Sequence, residues 1–438
     1  LPSKEKKNSK AWDISHFKVD KKDGEIRFHD LNIHIKLIRS IYELGWKYAT
    51  PIQAQILPYT LQKKDMAGRA QTGTGKTAAF LISIINHCLI NKLPKHSKGS
   101  PRALIIAPTR ELAMQIQKDS NALNRYTGLR TIVLFGGTDF KHQQELLEKK
   151  VVDIIVATPG RLLDFENRRL INLRFVEIMV IDEADRMLDM GFIPDVRRII
   201  YKTPPKGKRQ TLLFSATLTD EVMRLASAWM INPERIDVEP DQVATNTVDQ
   251  KVFIVTDEDK FKLLFNIIRT EQPERIIIFT NRRDQAERLS KSLNEYGHRN
   301  FMLSGAVSQK KRIRILEDFK AGRIKTVVAT DVAGRGIHVD GISHVVNFNI
   351  PENPDDYVHR IGRTGRAGAK GQSITFACEM ESFELPKIEQ LIGKDLKCST
   401  PSEVLLEKLP KRTPNYTSNK SRNTNRTYQK RKSKRPLK

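Results

Sequence analysis

Apolar residues along the chain fall into two patterns. Short runs rich in Val, Ile and Leu alternate with longer stretches in which apolar positions recur every three or four residues. The first pattern predicts strands buried on both faces, the second amphipathic helices. In the first half, strands are predicted near Ala103–Ala107, Thr131–Phe135, Asp153–Ala157, Val176–Ile181 and Thr211–Phe214, with helices such as Thr77–Leu89, Glu111–Asn124 and Asp220–Met230 between them. In the second half, strands are predicted near Val252–Val255, Arg275–Thr280, Thr326–Thr330, His344–Asn349 and Ser373–Ala377, with helices such as Arg283–Tyr296 and Gln309–Phe319. Strand–helix alternation of this kind builds parallel sheets covered by helices, an α/β fold. The pattern pauses from Pro240 to Gln250, a polar segment read as the linker between two lobes. The expected division is an N-terminal extension (1–27), a first lobe (28–239), a linker (240–250), a second lobe (251–400) and a basic tail (401–438).

Composition adds a polyanionic partner to this picture. The 438 residues carry a formal net charge of +25, which points first to nucleic acid and second to an anionic surface. The last 28 residues, Lys411–Lys438, hold 11 Lys or Arg and no acidic residue, so this stretch is expected to be disordered and to contact phosphates without reading sequence. Removing its charge leaves +14 on the rest, so the folded part is basic too. Tyr416 and Tyr428 could stack on bases. No apolar run approaches the roughly 20 residues that span a bilayer, and Leu1-Pro-Ser-Lys-Glu-Lys-Lys lacks the apolar core of a signal peptide. Cys88, Cys378 and Cys398 have no metal-ligand spacing. The expectation is a soluble cytoplasmic protein without structural zinc and without a membrane partner.

Two segments carry the chemistry. Ala70-Gln71-Thr72-Gly73-Thr74-Gly75-Lys76-Thr77 has the make-up of a phosphate cradle. Gly73 and Gly75 let backbone N–H groups approach oxygens, Lys76 meets the β/γ charge, and Thr77 offers a hydroxyl to Mg²⁺. The first position of the usual pattern is Ala70 rather than Gly. About a hundred residues on, the apolar strand Ile178-Met-Val-Ile181 delivers Asp182 and Glu183 to the carboxyl end of a parallel sheet, where ligands bind. Asp182 is expected to hold Mg²⁺, partly through water, and Glu183 to orient and deprotonate the attacking water. In His359-Arg-Ile-Gly-Arg-Thr-Gly-Arg366, Arg363 and Arg366 have the bidentate geometry that a γ-phosphate and its transition-state charge require.

Asp182-Glu-Ala-Asp185 is also the name motif of the DEAD-box RNA helicases, and the chain resembles that family over roughly residues 28–380. The resemblance implies two tandem RecA-like lobes that close over ATP. Gly45-Trp-Lys-Tyr-Ala-Thr-Pro-Ile-Gln53 looks like the family's Q motif, which implies that Gln53 reads the adenine edge and Phe28 stacks on its ring. Ser215-Ala-Thr217 and His359 correspond to residues that couple hydrolysis to strand separation. The family's RNA contacts map onto Arg110, Gly137, Thr158 and Arg161 in the first lobe and Gln309, Arg312 and Thr330 in the second. His338 stands where the family often has an Asp that touches the ribose, which leaves ribose recognition open. Gly334-Arg-Gly-Ile-His338, Asp185-Arg-Met-Leu-Asp-Met-Gly-Phe192 and Val238-Glu-Pro-Asp-Gln242 look most like the bacterial RhlB-type branch, which assists RNA degradation beside an endoribonuclease. The reading is therefore an ATP- and Mg²⁺-dependent RNA helicase acting on single-stranded RNA or short duplexes. An ATP-gated RNA clamp and a DNA helicase use the same residue types, because phosphate contacts alone do not separate RNA from DNA.

Overall fold

The computed structural model describes residues 12–69, 74–92, 97–237, 248–305, 307–334, 339, 341–365 and 371–412. These form two α/β lobes, each built on a seven-stranded sheet. In lobe 1 the strands are β1 (Met66–Arg69), β2 (Ala103–Ile106), β3 (Thr131–Leu134), β4 (Ile154–Ala157), β5 (Ile178–Ile181), β6 (Gln210–Ser215) and β7 (Glu234–Asp237). Their order is β3-β4-β2-β5-β6-β1-β7, with every pair parallel. Lobe 2 has β8 (Val248–Ile254), β9 (Ile276–Thr280), β10 (Phe301–Leu303), β11 (Thr326–Thr330), β12 (His344–Asn347), β13 (Gly371–Ala377) and β14 (Cys398–Ser399). The order there is β10-β11-β9-β12-β13-β8-β14, again all parallel.

The continuous apolar runs have a direct cause, because helices cover both faces of each sheet. Along β5, Ile178 and Val180 join one core cluster while Met179 and Ile181 join the cluster on the opposite face. Along β9, Ile276 and Ile278 likewise separate from Ile277 and Phe279. In lobe 1, the covering helices include α1 (Ile35–Glu43), α2 (Pro51–Thr60), α3 (Lys76–Ile90), α4 (Arg110–Leu123), α5 (Phe140–Lys149), α6 (Pro159–Asn167), α7 (Ala184–Asp189), α8 (Ile193–Lys202) and α9 (Asp220–Trp229). In lobe 2 they include α10 (Lys260–Glu271), α11 (Arg283–Glu295), α12 (Gln309–Lys320), α13 (Asp331–Gly334), α14 (Pro354–Ile361) and α15 (Leu385–Ile392).

The structure redraws three boundaries of the expected organisation. The segment before Phe28 is part of lobe 1 from Trp12 onward, since Phe17 is buried in its core and Trp12 packs on Tyr42. Residues 248–250 of the expected linker belong to β8, where pairing with β13 outweighs their polar composition. Residues 401–412 of the expected tail fold onto lobe 2. Asn266 Nδ2 donates to the carbonyls of Leu405 (3.0 Å) and Glu407 (2.9 Å), and Arg412 pairs with Glu295 at 3.4 Å. The rest of that tail lies outside the described residues.

Candidate active site

The carboxyl ends of β1 and β5 lie on either side of β6 in lobe 1. α3 begins at Lys76 after Gly75, whose φ of 99° is left-handed and open to glycine at little cost. A Cβ at Gly75 would also lie 2.6 Å from Gln53 Nε2 and 2.8 Å from Thr50 Oγ1. The Gln53 segment grips the loop from below. Thr50 Oγ1 donates to the Thr74 carbonyl (2.9 Å), Gln53 Nε2 donates to the Gly75 carbonyl (3.1 Å), and Thr50 N–H donates to Gln53 Oε1 (2.9 Å). Both ends of the Gln53 amide thus serve the loop and the start of α2. A cavity of about 580 Å³ opens beside them, lined among others by Trp46, Tyr48, Gln53, Lys76, Thr77 and Glu183. Phe28 is not among its lining residues. Its ring is 1% exposed in the lobe core, 6.4 Å from Trp46, because the helical turn at Phe28–Asp30 directs it inward.

Lys76 Nζ lies 3.5 Å from Asp182 Oδ1, both side chains buried. Burial opposes the charge on Lys76, but the carboxylates of Asp182, Glu183 and Asp185 outweigh it and raise its pKa. Burial lifts the Asp182 carboxyl above its ordinary range against the pull of Lys76. Glu183 sits at φ 55°, ψ 56°, a left-handed conformation that is costly for a residue with a side chain and is found at sites held by their surroundings. Burial acts against its charge too, yet Arg186, Lys76, His359 and Arg363 together hold its pKa low. Arg186 Nη1 pairs with Glu183 Oε2 at 3.1 Å.

Asp185 joins this turn to the loop after β6. Its Oδ2 accepts from the N–H groups of Ala216 (2.9 Å) and Thr217 (3.2 Å), and its own N–H donates to Ser215 Oγ (3.2 Å). Lobe 2 completes the site. His359 and Arg363 line one small cleft with Lys76, Glu183, Asp185, Arg186 and Ala216. Arg363 Nε donates to the His359 carbonyl at 3.0 Å. Behind them, Arg360 is 1% exposed and ties four segments together. It pairs with Asp331 through Nε (2.6 Å) and Nη2 (2.7 Å), and donates to Asn349 O (2.6 Å) and Asn281 Oδ1 (2.8 Å).

The residues expected on RNA divide between the two lobes. A Cβ at Gly137 would collide with the Arg110 guanidinium. Thr158 precedes the first turn of α6 without a side-chain capping bond, and Arg161 lies over the rings of Phe140 (5.6 Å) and Phe165 (6.0 Å). Across the cleft, Gln309 and Arg312 are buried against lobe 1: Arg312 pairs with Glu111 at 2.6 Å, Gln309 Nε2 donates to Glu111 Oε1 at 3.2 Å, and Arg110 Nη1 donates to Gln309 Oε1 at 3.4 Å. Thr330 ends β11, nearly buried. Ala70, Gln71, Thr72, Gly73, Arg366 and His338 lie outside the described residues. Motif reading assigned no role to Asp185, Glu111 or Arg360. Asp185 and Arg360 fall inside quoted motifs and Glu111 opens a predicted helix, and only the fold shows what their side chains join.

A phosphate loop on one parallel-sheet lobe, faced by cationic groups from a second lobe, defines a two-lobed nucleoside triphosphatase whose site is assembled at the cleft. Comparison with known proteins narrows the class. Residues 50–225 match the DEAD/DEAH box helicase family, and residues 259–368 match the helicase conserved C-terminal domain. The ATP-dependent RNA helicase RhlB of Pseudomonas putida is 56% identical over 395 residues, covering 90% of this chain and 99% of that protein. RhlB of Shewanella denitrificans is 46% identical, with 88% and 89% covered. Among solved structures, S. cerevisiae Dbp5 bound to RNA and ADP BeF3 superposes with a TM-score of 0.75 at 30% identity, covering 86% of this chain and 95% of that one. Mss116p bound to ssRNA and AMP-PNP gives 0.76 at 30%, covering 88% and 82%. The chain belongs to the DEAD-box RNA helicases of the RhlB type.

Proposed function

We propose that this chain hydrolyses ATP in the cleft between its lobes and uses lobe closure to open short RNA duplexes or remodel RNA–protein complexes. The observation that carries the reading is the meeting of Lys76 and Glu183 from lobe 1 with His359 and Arg363 from lobe 2 in one cleft. Lys76 holds the β/γ-phosphates, Glu183 orients the attacking water, and Arg363 offsets charge as it builds on the transferred phosphoryl group. Because the cation comes from the second lobe, hydrolysis requires closure, and RNA spanning both lobes favours closure. Arg110, Gly137, Thr158, Arg161, Gln309, Arg312 and Thr330 form the rim that RNA would follow.

The residues present fit Mg²⁺. Asp182 Oδ2 is buried and has no hydrogen-bond partner among the described residues, and the half-buried Thr77 lines the same cavity. Thr77 and Asp182 would hold the ion, Asp182 through water, while the phosphates supply the remaining ligands. When bound, Mg²⁺ neutralises phosphate charge. Likeness to the RhlB proteins supports work beside an endoribonuclease in RNA degradation, in the cytoplasm. Among the described residues no helix is long and apolar enough to cross a membrane.

The test is ATP hydrolysis with and without single-stranded RNA, followed by displacement of a short RNA duplex, with Glu183→Gln as background. RNA-stimulated turnover and strand release, both lost in the variant, are expected. Stimulation by single-stranded DNA alone would sink the RNA reading, and prolonged RNA binding without strand release would favour the clamp.

A further inference from the structure

The nucleotide cavity has one wall made by neither the phosphate loop nor the Gln53 segment. Leu112, Gln115 and Asp119 line it from α4, facing Trp46 and Tyr48. Gln115 and Asp119 are four residues apart, one turn on the same helix face. Gln115 Oε1 is buried and has no hydrogen-bond partner among the described residues. The Asp119 carboxyl is half-buried, and burial holds it above the usual carboxylate range against the charges of Lys118 and Lys320, with no hydrogen bond contributing. Two acceptors one turn apart inside a binding cavity, neither supplied with a donor among the described residues, call for a ligand that brings donors.

MgATP offers few donors. Its phosphates bring none, which leaves the N6 amino group of the base and the ribose hydroxyls, and the flat base suits the aromatic faces of Trp46 and Tyr48. Of the two, the vicinal diol of the ribose presents two hydroxyls spaced for neighbouring acceptors, and a carboxylate is a group that folds use to bind ribose hydroxyls. We propose that Gln115 and Asp119 accept the ribose 2′- and 3′-hydroxyls, which makes α4 a specificity-determining element of the nucleotide site. The proposal rests on the ATP site described above. It also gives α4 two tasks: its first turn meets lobe 2 through Glu111, while its second and third turns meet the sugar.

The test compares ATP, 2′-deoxy-ATP and 3′-deoxy-ATP with Mg²⁺ on the full chain, in competition with an ADP labelled on the base. The wild type is expected to bind each deoxy nucleotide roughly tenfold more weakly than ATP, as a charge-assisted hydrogen bond predicts. Asp119→Asn and Gln115→Leu should each shrink that ratio, and the double variant should bring it to within about twofold. The ratio is the readout, because removing a negative charge near a triphosphate changes absolute affinity by itself. The ATP-to-GTP preference should stay as in the wild type, which a collapsed pocket would not allow. Wild-type sugar discrimination persisting in the double variant, or none in the wild type, overturns the proposal while the ATP site stands. Failure of the wild type to bind ATP overturns both.

Discussion

Lys76 is the residue on which most of the site's charge converges. It is buried and within reach of three carboxylates, so its removal leaves the buried Asp182 facing incoming phosphates without its nearest cation. Lys76→Ala should lower ATP turnover at least ~100-fold, measured as phosphate release at saturating RNA. A second residue-scale prediction concerns Glu177, away from the site. Burial works against its charge, but His87 at 2.5 Å and Arg102 at 2.7 Å bring its pKa down to about 2. A lowered folded-state pKa adds stability above the unfolded value and loses it as pH falls toward the folded value. The wild type should therefore exceed Glu177→Gln by up to about 3 kcal/mol at neutral pH, with the gap closing as pH falls from about 4.5 toward 2 in denaturant titrations. At this scale the sequence shows residue types but not their directions. Lys76, Asp182 and Glu183 could be named because a phosphate site needs those groups at that spacing. The inward turn of Phe28 and the use of both ends of the Gln53 amide depend on packing partners that no local pattern specifies.

At the scale of elements, two short connections do most of the positioning. Gly75 is one, and Gly75→Ala should abolish nucleotide binding while the fold survives, because the added methyl meets Gln53 and Thr50 at a φ disfavoured for alanine. Equilibrium titration with a fluorescent ADP, alongside a thermal melt, would check both halves. The other is the knot at Arg360, which joins α14 to β9, to the end of β11 and to the loop after β12. Arg360→Lys keeps the charge but loses the planar fork, and should destabilise lobe 2 by about 3 kcal/mol or more in urea. The elements themselves were largely legible, since strands buried on both faces write continuous apolar runs. β1 (Met-Ala-Gly-Arg) and β7 (Glu-Arg-Ile-Asp) were not, because one lacks branched residues and the other is a half-exposed edge. β10 and β14 are too short to show a period.

For the molecule as a whole, the cleft decides the outcome. Arg363 reaches the site only from lobe 2, so Arg363→Ala should cut RNA-stimulated turnover ~100-fold or more while ATP affinity changes little, as single-turnover kinetics and equilibrium binding would separate. Two lobes could be read from the alternation and its pause. The contacts of Glu111 with Arg312 and Gln309 could not, since they join residues about two hundred positions apart.

That separation has a thermal signature. Among the described residues no strand of either sheet pairs with the other sheet, so backbone ladders give the lobes no common unit of cooperativity. Side chains at the cleft are a thin tie by comparison. A calorimeter should record two melting transitions for the ligand-free chain. An unhydrolysed ATP analogue with RNA, bound by both lobes at once, should draw the two peaks together into one at higher temperature. The width of that merged peak would report how far the ligands, rather than the polypeptide, make this a single cooperative body.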